Sequence, residues 1–373
     1  MNGSMDKRFE IGPARIGPAE PAYVVAEIGV NHDGDSSVAR ELIHAAADAE
    51  ADAVKFQVFA ADRLVIREAP AAAYQQPAAG NHASQYDLLR KLELTHDEFT
   101  ELADYAGHCG VEFLATPFSL EDLEFVIQLG VRAIKLASTD IVNRPLLERA
   151  ARSGLPVIAS TGAAEFDEIA DAVVLFGHPD AGPLALLHCI SSYPTPENEA
   201  NLAAIGALGR TFGCVVGFSD HTESLTLGGY ATAAGGRIIE KHMTFDRSRI
   251  GPDHGFSLEP DGLARYIRNI RQTEVLLGEG TIGLTDRQRE VRAVARGSVV
   301  AARDIVPGGT LAEADLTVKR PGDGIPPAQF HDLIGRTALT AIPADTVITW
   351  DMLSGGPINP HDLEMVVGSA AGG

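Results

Sequence analysis

Eight short apolar runs, each followed by an amphipathic segment, constrain this chain more than any other feature of its 373 residues. The runs are 23–30 (YVVAEIGV), 52–59, 111–118, 132–139, 156–161, 184–191, 215–222 and 237–244. Between them, segments such as 37–51, 119–130 and 145–154 repeat apolar residues at helical spacing, the last with Gly154 placed to end it. Strands alternating with helices predict a parallel sheet covered on both faces. An open doubly wound sheet and a closed (β/α)8 barrel both satisfy that pattern, and the strand ends decide between them. Nearly every run closes on groups able to do chemistry: Glu27 and Asn31, Lys55 and Gln57, Thr116, Ser138, Ser160, Ser191, Ser219 and His221, Glu240 and His242. An open sheet gathers such groups at one switch point, whereas a barrel spreads them around a ring. The reading is therefore an α/β fold of the TIM-barrel type.

The barrel domain, opened by an N-terminal hairpin, is expected over 1–282 and a linker over 283–296. From 297 to 354 short strands and turns predict a small β-rich domain, and the polar tail 355–373 is expected to be disordered. The segment 58–98 exceeds an ordinary βα loop and is expected to lie over the barrel mouth. The formal charge, 30 − 51 = −21, argues against nucleic acid and anionic membranes as partners. An anionic substrate must then be held by a local basic pocket. No run approaches the roughly 18 apolar residues of a spanning helix, and the amino end has no apolar signal core. Three unevenly spaced cysteines, Cys109, Cys189 and Cys214, suit reduced thiols. A cytoplasmic location is expected.

His221 and His242 close the seventh and eighth strands, which lie about 4.8 Å apart. Inward imidazoles on neighbouring strands can reach one divalent ion such as Mn²⁺ or Zn²⁺ at roughly 2.0–2.2 Å. Asp220 and Glu240 are expected beside them as supports. The alternative is a pair of hydrogen-bonded core histidines. Lys55 and Gln57, two apart, share a face. A buried Lys55 needs a carboxylate such as Glu27 or a bound anion, and Lys135 poses the same problem. With Thr116, Ser138, Ser160 and Ser219 nearby, an anion site is expected, against the alternative of a structural salt bridge. Neither a P-loop nor a strand-linked G-x-G-x-x-G occurs, so no nucleotide cofactor is expected. "GFSDHT" (217–222) is not G-x-S-x-G, and adjacent strand residues face opposite ways, so Ser219, Asp220 and His221 do not make a triad.

Taken together, "AEIGVNHDGD", "DAVKFQ", "ATPF", "IKLAST", "STG", "HCISSYPTP", "GFSDHT", "IIEKHMTFDRSRIGPDHGFSLEP" and "KRPGDGI" resemble the sialic acid synthase family, the NeuB-like nonulosonic acid synthases. The resemblance runs from about 9 to 354. It implies a TIM barrel joined to an antifreeze-like SAF (β-clip) domain, in a homodimer whose SAF domain caps the partner's barrel. It implies condensation of phosphoenolpyruvate with the open-chain aldehyde of an acylamino sugar, releasing phosphate by C–O cleavage. On that resemblance Thr116, Lys135, Ser138, Ser160, Ser191 and Ser219 hold phosphoenolpyruvate, with Lys55 on its carboxylate. Gln57, Asn81, Tyr193, Asp253 and Arg320 contact the sugar, Arg320 from the partner subunit. His221 and His242 bind Mn²⁺, with Mg²⁺ or Co²⁺ as alternatives, and Glu27 and Asp140 become candidates for proton handling. Four positions depart from many members: Asp140 stands where Glu is frequent, Ser191 where Asn is found, and Gly255–Phe256 where Lys–Ala is frequent. "SSYP" and "FSLEP" lean towards pseudaminic-type or spore-coat-type synthases, so a legionaminic, pseudaminic or unusual acceptor stays open. A sugar-phosphate synthase of related barrel type and a non-catalytic sugar-binding scaffold are the remaining alternatives.

Overall fold

The structure, a computed structural model, describes residues 8–70 and 84–356. It divides into two compact units, Met1–Glu279 and Gly280–Gly373.

In the first unit a hairpin, β1 (Phe9–Ile11) and β2 (Ala14–Ile16), precedes eight parallel strands. These are β3 (Tyr23–Gly29), β4 (Ala53–Val58), β5 (Glu112–Pro117), β6 (Ile134–Leu136), β7 (Val157–Ser160), β8 (Leu184–Cys189), β9 (Val215–Asp220) and β10 (Ile238–His242). They close in the order β10-β3-β4-β5-β6-β7-β8-β9. The barrel expectation holds, and the open sheet is excluded.

Alternation along each strand sorts two kinds of interior. Near the amino ends, Tyr23, Val25, Ala53, Leu114, Ile158, Leu187, Val215 and Ile238 form an apolar layer. Ile11 and Ile16 of the hairpin join it, so β1–β2 plugs the amino-terminal mouth. Each buried aliphatic side chain there contributes about 1.5–3 kcal/mol. At β9 the layer admits only glycine: a Cβ on Gly217 would lie 2.0 Å from the Ile238 carbonyl oxygen and 2.6 Å from Leu187 Cδ2.

The helices begin where their sequences provide caps. Thr95 and Glu98 form a capping box for His96–Cys109, which ends on left-handed Gly110. Ser119 caps Leu120–Gln128, and Asn143 caps Arg144–Ala151. The long segment after β4 holds helices Ala61–Leu64 and Gln85–Leu92, while 71–83, with Asn81, lies outside the described residues. The expected strand 132–139 shortens to β6, because the chain turns at Ser138–Asp140 into one turn of 3-10 helix.

The second unit holds β11 (Ser298–Ala301) paired antiparallel with β12 (Leu316–Lys319) over a core that includes Val299, Leu311, Ile325, Leu333 and Ile348. Within the stretch expected as a linker, Asp286–Ala295 is helical, started by a Thr285–Gln288 capping box and with no buried residue. Its start was legible as T-x-x-Q, but no apolar face marks its length. Residues 357–373 of the tail lie outside the described residues. No described helix is long and apolar enough to cross a membrane, and none of the three cysteines is in a disulfide.

Candidate active site

Two residues beyond the apolar layer, the same inward faces change character. Val25 gives way to Glu27, Ala53 to Lys55 and then Gln57, Leu114 to Thr116, Ile158 to Ser160, Leu187 to Cys189 and Ile238 to Glu240 and then His242. These groups line a cavity of about 640 Å³ at the carboxyl ends of the strands, the end where barrel enzymes place their chemistry.

On its floor two ammoniums meet two carboxylates. Lys55 Nζ lies 2.9 Å from Glu27 Oε2 and 3.6 Å from Glu240 Oε2, and Lys135 Nζ lies 3.8 Å from Glu240 Oε2. The hydroxyls complete the shell: Lys55 donates to Thr116 Oγ1 at 3.1 Å, Lys135 to Ser160 Oγ at 2.7 Å, and Ser219 Oγ to Glu240 Oε1 at 3.0 Å. Burial opposes every charge here, and position decides the outcome. Glu240, between both lysines, is held below the ordinary carboxylate range despite its burial. Glu27 is pushed up to about 7, by burial first and against the pull of Lys55. Burial lowers Lys135, whereas for Lys55 the two carboxylates outweigh it and raise the ammonium. The floor thus sets two ammoniums against one carboxylate held low, Glu240, and a second, Glu27, pushed up to about 7.

The two histidines face each other above this floor, with ring centroids 5.4 Å apart. A carbonyl only accepts, so His221 Nδ1, 2.9 Å from the Ile190 oxygen, is the donor and Nε2 is left to the cavity. Burial, then the charges of His221 and the lysines, hold His242 well below its ordinary value and hence neutral. Its buried Nδ1 has no hydrogen-bond partner and lies 3.7 Å from Asp253 Oδ2, while burial pushes Asp253 up to about 6. Burial lowers His221, but Cys189 and the Ile190 carbonyl outweigh it and raise the ring above its ordinary value. With His242 neutral, an unused nitrogen on each ring is what a metal ligand requires, so the pair fits a divalent ion. Among the described residues no group of three or more His, Cys, Asp or Glu side chains is placed to hold one.

Aromatic rings frame the pair. Phe256 lies 4.9 Å from His242 and 6.0 Å from His221, and Tyr193 lies 4.5 Å from His221, centroid to centroid. The loop carrying Asp253 and Phe256 is clasped from the end of β3. Asn31 Nδ2 donates to the Met243 carbonyl at 2.8 Å and to Ser257 Oγ at 2.9 Å. His254 bridges Thr244 Oγ1 at 2.7 Å and Asp33 Oδ1 at 3.0 Å. Asn31, expected among the chemical groups, serves this clasp.

The expected residues are largely brought together. Glu27, Lys55, Gln57, Thr116, Lys135, Ser138, Asp140, Ser160, Ser191, Tyr193, Ser219, His221, His242 and Asp253 all line the cavity. Ser138 Oγ accepts from Gly162 N–H at 3.0 Å. Asp140 Oδ2 and Ser191 Oγ are buried without a hydrogen-bond partner, a cost a ligand would relieve. Arg320 is exposed just past β12 in the second unit. One expectation is corrected. Glu240 does not support the histidines but bridges Lys55 and Lys135, because it shares an inward face with His242 two residues on. That alternation was the signal by which it should have joined the site. Cys189 Sγ, 3.4 Å from Ser138 Oγ and 3.8 Å from His221 Nδ1, was missed for the same reason. Asp220, assigned to support, faces outward, where it accepts from Tyr266 Oη at 2.8 Å and meets Lys241 Nζ at 3.1 Å.

Comparison with known proteins gives matches in both parts of the chain. Residues 42–282 match the NeuB family and 296–354 the SAF domain. The N,N'-diacetyllegionaminic acid synthase of Legionella pneumophila is 37% identical over 90% of this chain and 95% of its own length. The spore coat polysaccharide biosynthesis protein SpsE of Bacillus subtilis is 35% identical over 92% and 96%. The solved N-acetylneuraminic acid synthetase of Leptospira borgpetersenii, in complex with citrate, superposes with a TM-score of 0.69 at 36% identity, covering 78% of this chain and 96% of that one. The chain belongs to the NeuB family, its barrel carrying the family's match and its carboxyl-terminal domain that of SAF.

Proposed function

We propose that the chain is a nonulosonic acid synthase, condensing phosphoenolpyruvate with the open-chain aldehyde of an acylamino sugar. The observation that supports this most is the meeting of two buried lysines, a ring of hydroxyls and two facing imidazoles in one cavity. Lys135, with Thr116, Ser138, Ser160, Ser191 and Ser219, takes the phosphate, and Lys55 the carboxylate. C3 of the enol attacks the aldehyde carbon, whose oxygen gains a proton. Water adds to C2 and loses a proton, the C2–O bond breaks, and phosphate leaves with the bridging oxygen. The products are one 2-keto-3-deoxy sugar acid and one phosphate. Glu27, with its pKa about 7, suits proton transfer in this sequence, and Asp140 is the second candidate. His221 and His242 hold the divalent ion, Mn²⁺ before Mg²⁺ or Co²⁺. When bound, it supplies a Lewis acid for the acceptor carbonyl. Gln57, Tyr193 and Asp253 face the acceptor. Arg320 reaches it from a second copy, whose SAF domain caps this barrel in a homodimer.

Metal-stripped protein is assayed for phosphate release from phosphoenolpyruvate with a panel of acylated hexosamines, with and without Mn²⁺. Sugar- and Mn²⁺-dependent release is expected. No release with any sugar would sink the proposal.

A further inference from the structure

β9 ends at Asp220, and the last rung it shares with β10 pairs Asp220 with Lys241. His221 therefore lies one residue beyond that ladder, whereas His242 is still paired with Glu27 of β3. The outer face of the two strands supplies what the ladder does not. There Asp220 and Lys241 form an ion pair at 3.1 Å with neither side chain exposed. Both grip the residue that follows His221. Asp220 Oδ1 accepts from the Thr222 N–H at 2.8 Å and from its hydroxyl at 2.7 Å, while Lys241 Nζ donates to the Thr222 carbonyl oxygen. Tyr266 Oη, from the helix Pro260–Leu277, donates to Asp220 Oδ2 at 2.8 Å. A Cβ on Gly228 would lie 2.5 Å from the Tyr266 ring, so the helix Leu227–Ala233 packs hard against Tyr266.

A buried ion pair is a poor device for stability alone, since apolar residues of like size often serve as well. What this pair has, and an apolar pair lacks, is direction. It holds the N–H, hydroxyl and carbonyl of one residue at once, and so fixes the backbone on the carboxyl side of His221. The rest of His221 is held from the loop after β8: its carbonyl accepts from Thr195 N–H at 2.9 Å, and its Nδ1 donates to the Ile190 oxygen. Resting on the reading of the two histidines as metal ligands, we propose that Asp220 and Lys241 are positioning residues. Through Thr222 they hold His221 facing His242 across the space for one divalent ion. Neither residue lines the cavity, so the effect passes through the backbone and not by contact with ion or substrate.

Calorimetry of Mn²⁺ and, separately, of inorganic phosphate on the full metal-stripped chain tests this. Asp220→Asn combined with Lys241→Met removes both charges, leaves neither partner as an unpaired buried ion and frees the Thr222 carbonyl. Mn²⁺ affinity is expected to fall about tenfold or more. Phosphate affinity should stay within about twofold, because Thr116, Lys135 and Ser160 stand on other strands. The near-isosteric Thr222→Val keeps the ion pair and deletes one hydrogen bond to Asp220. It should lower Mn²⁺ affinity about fivefold, and it decides the matter if the double variant does not fold. A folded variant that keeps Mn²⁺ affinity within about twofold of the wild type overturns the inference. So does an equal fall in Mn²⁺ and phosphate affinity, which would make the pair merely structural. A wild-type chain that binds no Mn²⁺ sinks the metal assignment and this inference together, whereas unaltered variants of a chain that does bind it sink the inference alone.

Discussion

Glu240 sits where the site's electrostatics are decided, between two lysines that would otherwise repel each other. Glu240→Gln removes that charge and keeps the shape. We expect turnover to fall by about 100-fold or more, with the far-UV circular dichroism unchanged. Near-normal turnover would remove Glu240 from the machinery. The imidazole pair gives a second expectation: His221→Ala and His242→Ala each abolish Mn²⁺-dependent turnover and weaken Mn²⁺ binding about tenfold or more, read by calorimetry. Normal activity in either would overturn the metal assignment. His32 governs stability instead. Burial pushes its pKa down from 6.5 to about 4, and its Nδ1 accepts from Gly34 N–H, which protonation forbids. The unfolded chain therefore takes up this proton at higher pH than the folded one. The stabilisation is complete above about pH 6.5 and is lost as pH falls towards 4, about 2 kcal/mol of it by pH 5. The denaturation midpoint should fall from pH 7 to 5, and less steeply in His32→Gln. Lysines and histidines were legible because polar side chains ending apolar runs stand out. Glu240 was legible as a polar strand end but not as the partner of both lysines, because only closure of the barrel brings Lys55, Lys135 and Glu240 together.

At the scale of elements, the strands were legible within a residue or two where apolar runs match the barrel's depth, as at β4 and β9. β6 was not, since "LAST" carries strand-like residues into a one-turn 3-10 helix fixed by packing beyond the local sequence. The helix Gln85–Leu92 was hidden for a different reason: its eight residues are too few to show a period inside a polar loop. Close strand packing also sets a limit that local propensity does not reveal. Gly217→Ala pushes a methyl into the Ile238 carbonyl, and a loss of about 1–3 kcal/mol is expected in denaturant melts. The clasp between the two loops acts at this scale too. Asp33→Asn weakens its contacts to His254 and Arg249 without touching the cavity lining. It should raise the acceptor KM while the phosphoenolpyruvate KM stays within about twofold. An equal rise in both would mean the clasp is merely structural.

For the whole molecule, each unit carries its own core. The barrel was legible from the count of strands and the ring of polar ends; the small domain was legible as β-rich turns and, through the resemblance, as SAF. A homodimer is proposed from the resemblance alone, because nothing in the periodicity marks a surface for a second copy. Arg320→Ala should raise the acceptor KM at least about tenfold with little change for phosphoenolpyruvate. Mixing it with Lys135→Ala, through unfolding and refolding together, should restore activity if each site is shared between copies. In the proposed reaction the cavity joins phosphoenolpyruvate to an aldehyde and expels phosphate by breaking the C2–O bond. Phosphoenolpyruvate labelled with ¹⁸O in its bridging position follows that bond. The label is expected in the released phosphate, one phosphate per sugar acid; label retained in the sugar acid, or a sugar acid formed without phosphate, would overturn the proposed reaction.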